Sequence, residues 1–116
     1  MKDSREVTDD DRGTLAGLIA ASSYRRFLVT HGTFTMAETG RYLKRRLEPS
    51  QGKLVILVGS MMPLGQPGSD APYNLGFASA AAMMLRESGV YIAFNARLWD
   101  PDEVRKNLEE LRFEEA

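Results

Sequence analysis

The chain has 116 residues, 43% of them hydrophobic, and 15 Lys plus Arg against 16 Asp plus Glu leave a net charge of −1. That composition suits one globular domain with one core, and the near-neutral balance gives no electrostatic footprint for nucleic acid or an anionic membrane. The absence of cysteine excludes disulfides, thiolate nucleophiles and Cys-held zinc, and the single histidine, His31, excludes a His metal cage within one chain.

Thr8 ahead of Asp9, Asp10 and Asp11 is a helix-start signal, and Leu15, Leu18 and Ile19 recur at helical spacing, so a helix is expected over 9–22. Gly13 and Gly17 each cost that helix about 1 kcal/mol against Ala, which makes it dependent on packing. A short apolar strand follows over 27–30. It leads into Thr30-His31-Gly32-Thr33-Phe34-Thr35-Met36, a turn stocked with hydroxyls. Thr35 and Glu38 have the spacing of a capping box, so the next helix is expected over 36–47, ending before Pro49. Thr33 then lies within reach of the positive end of that helix dipole.

Leu54-Val55-Ile56-Leu57-Val58 is a β-branched run that reads as a buried central strand. A long loop rich in Gly and Pro spans 59–72, and a helix is expected over 73–87 with Leu75, Ala78, Ala82 and Leu85 on one face. A third strand over 90–94 and a charged helix over 102–111 complete the order. Strands alternating with helices imply right-handed crossovers, a mostly parallel open sheet in three layers, and an α/β fold. All three strands then deliver their following loops to one edge of the sheet, where open α/β sheets bind ligands. His31 to Thr35, Gly59-Ser60 and Asn95-Ala96-Arg97 meet there.

Four blocks in these loops resemble the L-asparaginase and glutaminase family whose nucleophile is a threonine. They are Asp3-Ser4-Arg5-Glu6-Val7-Thr8, Thr30 to Met36 with Glu38-Thr39, Gly59-Ser60-Met61-Met62-Pro63 through Ser69 to Leu75, and Gly89 to Arg97 with Val104-Arg105-Lys106-Asn107. The resemblance implies a flavodoxin-like, asparaginase N-terminal-domain-like sheet over 1–116 and hydrolysis of the side-chain amide of asparagine or a related small amide. It makes Thr33 the hydroxyl of the second threonine-containing triad and Lys106 its lysine. Ser4 falls where the family contacts the α-carboxylate of the substrate, and Gly32 and Ser60 fall where backbone groups line the amide pocket. A small amino-acid amide or carboxylate is the implied ligand, without metal or organic cofactor.

Phe34 departs from the family, which has an aspartate there to bind the ammonium group of the substrate. A ring offers only a cation–π contact of about 0.5–2 kcal/mol in its place. Arg5, beside Ser4, favours carboxylates. The chain also starts at the block holding Ser4, so it reads as a truncated domain without the family's first strand and primary threonine. The expectation is an impaired amidohydrolase; the alternative is an inactive module binding a small carboxylate or a protein partner. Without the first strand the edge at 27–30 is bare, which implies a homo-oligomer.

Other constellations have plainer readings. Met61, Met62, Met83 and Met84 read as core filler. Gly65 and Gly68 lack the spacing of a phosphate loop. Arg41, Lys44, Arg45 and Arg46 read as a solvated helix face, and His31 either shuttles protons or, preferably, hydrogen-bonds its loop. No apolar run reaches the ~18 residues of a membrane span, and Met1 to Glu6 lack a signal-peptide core, so a cytoplasmic, membrane-free protein is expected.

Overall fold

The computed structural model describes residues 6–47, 51–59, 67–107 and 112–115. Helix α1 (Asp9–Ala21) starts at Thr8, whose hydroxyl accepts from Asp11 N while the Asp11 carboxylate accepts from Thr8 N, a complete capping box. Strand β1 (Arg26–Thr30) leads to helix α2 (Met36–Arg46), then to strand β2 (Leu54–Val58), helix α3 (Ala71–Met84) and strand β3 (Gly89–Phe94). These elements sit within a few residues of their expected positions, with α3 starting at Ala71 because Pro72 suits a first helical turn.

The sheet has the order β1, β2, β3, then β4 (Arg97–Trp99); the first three strands are parallel and β4 is antiparallel to β3. β4 lies between the strand expected over 90–94 and the helix expected over 102–111, where no strand was expected. Asn95 and Ala96 take φ of 51° and 55°, the left-handed pair that a two-residue hairpin needs, so the chain reverses at once and pairs Phe94 with Arg97.

Alternation along the strands builds two cores. Val55, Leu57, Val90, Ile92 and Phe94 face α1 and α2, meeting Ile19, Met36 and Leu43. Leu54, Ile56, Val58 and Ala93 face α3, meeting Ala78, Ala81 and Ala82. The alanines let α3 lie close on the sheet. Its outer side carries Tyr73, Met83 and Met84, each more than half exposed, so the last two are not core filler. They point outward because Ala81 and Ala82 already occupy the inward face of that turn.

The closing helix expected over 102–111 is not formed. Asp100 caps a single 3-10 turn, Pro101–Glu103, by accepting from Asp102 N; the chain then enters β5 (Val104–Asn107), which pairs antiparallel with β6 (Arg112–Glu115). Val104, β-branched and buried in the α2-side core, favours extended backbone where the charged residues around it suggested helix. No helix among the described residues is long and apolar enough to cross a membrane.

Candidate active site

The turn after β1 is clamped against the end of β2. His31 N donates to Val58 O at 2.9 Å, and Gly59 passes so close that a Cβ there would lie 2.3 Å from His31 O and 3.3 Å from Thr33 Cγ2. Only a glycine permits that approach. Thr33 is buried and Phe34, its neighbour, is half exposed. The helix start differs from expectation: Thr35 is the N-cap of α2 but makes no side-chain capping bond. Glu38 instead turns toward α1, with its carboxylate 3.9 Å from Arg12 Nη2, so the capping box is replaced by an ion pair between helices.

Behind the turn lies a buried polar cluster. Arg12 is 7% exposed and Thr39 is 1% exposed. Arg12 Nε donates to Thr39 Oγ1 at 2.8 Å, Thr39 Oγ1 lies 2.8 Å from His31 Nε2, and His31 Nδ1 lies 2.6 Å from Gly32 O. Arg12 Nη1 donates to Asp9 at 3.0 Å. Burial, opposed in part by the bond to Gly32 O and reinforced by the Arg12 charge, holds the His31 pKa below its ordinary value of 6.5. Both ring nitrogens are engaged within the fold. An open groove of about 330 Å³ adjoins this cluster, lined by Val7, Leu15 and Val29 and by Asp11, Arg12 and His31.

The loops after β2 and β3 are joined by Asn74, which is fully buried. Its Nδ2 donates to Gly59 O at 3.0 Å and to Asp70 Oδ2 at 3.2 Å, and its Oδ1 accepts from Asn95 N at 3.2 Å. One side chain therefore ties together the two strand ends and the start of α3.

Of the site residues expected from sequence, Gly32, Thr33 and Phe34 lie together in the turn at the carboxyl edge. Ser4 and Ser60 lie outside the described residues, as do Met61 and Met62. The backbone of Lys106 lies in β5 opposite Phe113, and its side chain is outside the description. Arg12 escaped the sequence reading, and Asn74 entered it only within the block Ser69 to Leu75, without a role. The signal for Arg12 is its place on the same helical stripe as Ala16 and Ile19, and for Asn74 its place one turn before Ala78. Among the described residues no group of three or more His, Cys, Asp or Glu gathers as a metal site.

A mostly parallel open sheet with helices on both faces defines an α/β domain, and its buried threonine lies in a strand-to-helix turn at the carboxyl edge, where open sheets of this kind bind ligands. The family model for the asparaginase N-terminal domain matches residues 1–111, and the chain belongs to the asparaginase family. It is 38% identical over 101 residues to L-asparaginase 1 of Escherichia coli K12, covering 85% of this chain and 30% of that protein. It is 32% identical over 111 residues to the glutaminase-asparaginase of Acinetobacter glutaminasificans, covering 90% and 33%. The fold superposes on L-asparaginase I of Vibrio cholerae with a TM-score of 0.88 at 35% identity, covering 99% of this chain and 36% of that one. The chain thus spans about a third of the length of the curated relatives it matches.

Proposed function

We propose that this chain is an asparaginase-type amidohydrolase domain that hydrolyses the side-chain amide of asparagine or a related small amide in the cytoplasm, with activity weakened at Phe34. The observation that carries the reading is Thr33, a buried threonine whose methyl packs against Gly59 in the turn that opens α2, within a family defined by such chemistry. The Thr33 hydroxyl or a water adds its oxygen to the amide carbon, and Lys106 takes up the proton. Lys106 returns that proton to the nitrogen as the C–N bond breaks, and the nitrogen leaves as ammonia. Where Thr33 is the nucleophile, a water cleaves the resulting ester. A lysine kept partly neutral by apolar surroundings suits the base role. Gly32 and Ser60 line the amide pocket with backbone groups, Ser4 contacts the α-carboxylate, and Phe34 meets the ammonium with its ring.

Phe34, half exposed where the family motif has an acid, favours a second reading: a module that holds a small carboxylate without turning it over. In either reading β1, an edge strand in the described sheet with Leu28 40% exposed, supports association with a second copy along that edge.

Ammonia release from asparagine and glutamine separates the two readings. The hydrolase reading expects release that Thr33→Ala abolishes and Phe34→Asp raises. No release from the native chain or from Phe34→Asp, with asparagine or aspartate still binding in calorimetry, overturns it in favour of the binding module.

A further inference from the structure

The cluster of Arg12, Thr39 and His31 has one consistent direction of hydrogen bonding. A carbonyl oxygen can only accept, so the 2.6 Å contact to Gly32 O requires a proton on His31 Nδ1. In the neutral ring Nε2 is then the acceptor, and the Thr39 hydroxyl 2.8 Å away donates to it. That hydroxyl oxygen in turn accepts the Arg12 Nε proton at 2.8 Å. Every donor from the guanidinium to the Gly32 carbonyl points the same way along the chain. A buried arginine is costly unless its donors are matched, and Arg12 is matched by Thr39, by Asp9 at 3.0 Å and by Glu38 at 3.9 Å.

We infer that Arg12 is a positioning residue: acting through Thr39 it selects the Nδ1–H tautomer of His31, and the ring in that tautomer fixes the plane of the Gly32–Thr33 peptide. Free histidine favours the other tautomer, with the proton on Nε2. The described peptides are trans, so a carbonyl held toward the ring sends the Thr33 N–H to the opposite side. On the sheet side the same turn cannot recoil, because Gly59 packs against His31 O and Val58 O holds His31 N. The Thr33 backbone is therefore gripped from the sheet and from α1 together. The bearing of this on chemistry rests on the role proposed for Thr33, whereas the relay itself does not.

The chain has one histidine, so a long-range proton–nitrogen NMR spectrum of its imidazole reports His31 alone. At pH 8 the native chain should show a pyrrole-type Nδ1 and a pyridine-type Nε2. Thr39→Val, which removes the hydroxyl and keeps the shape, should shift the ring toward the Nε2–H tautomer, Arg12→Met should do the same, and Thr39→Ser should restore the native pattern. An Nε2–H tautomer in the native chain overturns the inference without any variant, and so does an unchanged pattern in a folded Thr39→Val. Where ammonia release is measurable, Arg12→Met should lower kcat roughly 10–100-fold with KM within about twofold, as expected for a displaced reacting group. A fall through KM alone assigns Arg12 to binding and overturns the positioning role. Absence of any release bears on the proposed function only, and leaves the tautomer result to decide the relay.

Discussion

The two ends of the sheet handle polar groups in opposite ways. At the carboxyl end they are buried or half-buried and individually matched: Arg12 and Thr39 with the half-buried His31 behind the first turn, and Asn74 between the second and third loops. Toward the amino end they are charged and wet. Lys44 bridges Asp100 at 2.9 Å and Asp102 at 2.7 Å, with all three side chains at least 36% exposed. Lys53 donates to Ser22 O and Tyr24 O at 2.5 and 2.6 Å, and Arg25 donates to Arg86 O. A cleft of about 240 Å³ lies among these groups, bordered by Lys44, Lys53 and Gly89. Both ends contain hydrogen bonds of good length. Burial is what differs, and it decides how much each bond constrains, because a buried polar group that loses its partner cannot turn to water.

Asn74 tests the buried end most severely. Asn74→Leu keeps the volume but leaves Gly59 O and Asn95 N–H without this partner inside the fold. The expected cost is about 3 kcal/mol, at one to several kcal/mol for unmatched buried groups, and a fall in Tm of roughly 10–20 °C. Urea unfolding and a thermal melt check this. A change below about 0.5 kcal/mol would mean that Asn74 adds little to joining the loops.

His31 tests the same end through pH. Its folded pKa lies below 6.5, chiefly from burial, so the unfolded chain binds a proton more readily than the folded one. The groups facing it are Arg12 and Asp11 on α1, with Asp9 and Glu38 holding Arg12 from α1 and α2. This contribution to stability is complete above pH 6.5 and is lost as pH falls through the lowered folded value. Urea midpoints should therefore drop between pH 8 and pH 5, and His31→Gln should flatten that drop. An equal slope in both proteins would remove His31 from the account. Asp100 does not confuse the comparison, because its carboxyl is held below its ordinary value of 3.8, first by the Asp102 backbone N–H and then by Lys44, and titrates at a lower pH.

The contrast also marks what the sequence could convey. The β2 run and the glycine-bounded β3 were legible because their apolar patterns are local, and the segment around Thr33 was legible as a strand-to-helix turn because it lies between an apolar strand and a helix start, while Thr33 by itself reads equally as an ordinary turn hydroxyl. β4 was not, because its hairpin turns on Asn95-Ala96 and lacks the usual glycine. The stretch after Asp100 misled for the opposite reason. Its charged residues favour helix locally, but Val104 is taken into the core and the strand pairing follows. The roles of Arg12 and Asn74 were invisible because their partners lie 27, 15 and 21 residues away, at Thr39, Gly59 and Asn95. A polar residue on an inward stripe is a question that only the opposing element answers.

The smallest effect belongs to the exposed end. Lys44 has its pKa raised, first by its bond to Asp102 and then by that to Asp100, so it is charged throughout the neutral range. The two contacts are short, yet water reaches all three partners, and a long side chain gives up rotamer freedom to hold them. Lys44→Met removes the charge and keeps much of the stem that borders Leu47 at the cleft. Such exposed pairs contribute about 0–1 kcal/mol, so the midpoint should move by less than a third of the Asn74→Leu shift. What little there is should vanish at 1 M salt, where the Debye length is about 3 Å. A salt-insensitive loss of about 2 kcal/mol would show that Lys44 is anchoring the turn at Asp100 as firmly as Asn74 anchors the loops, and the distinction between the two ends would then rest on something other than burial.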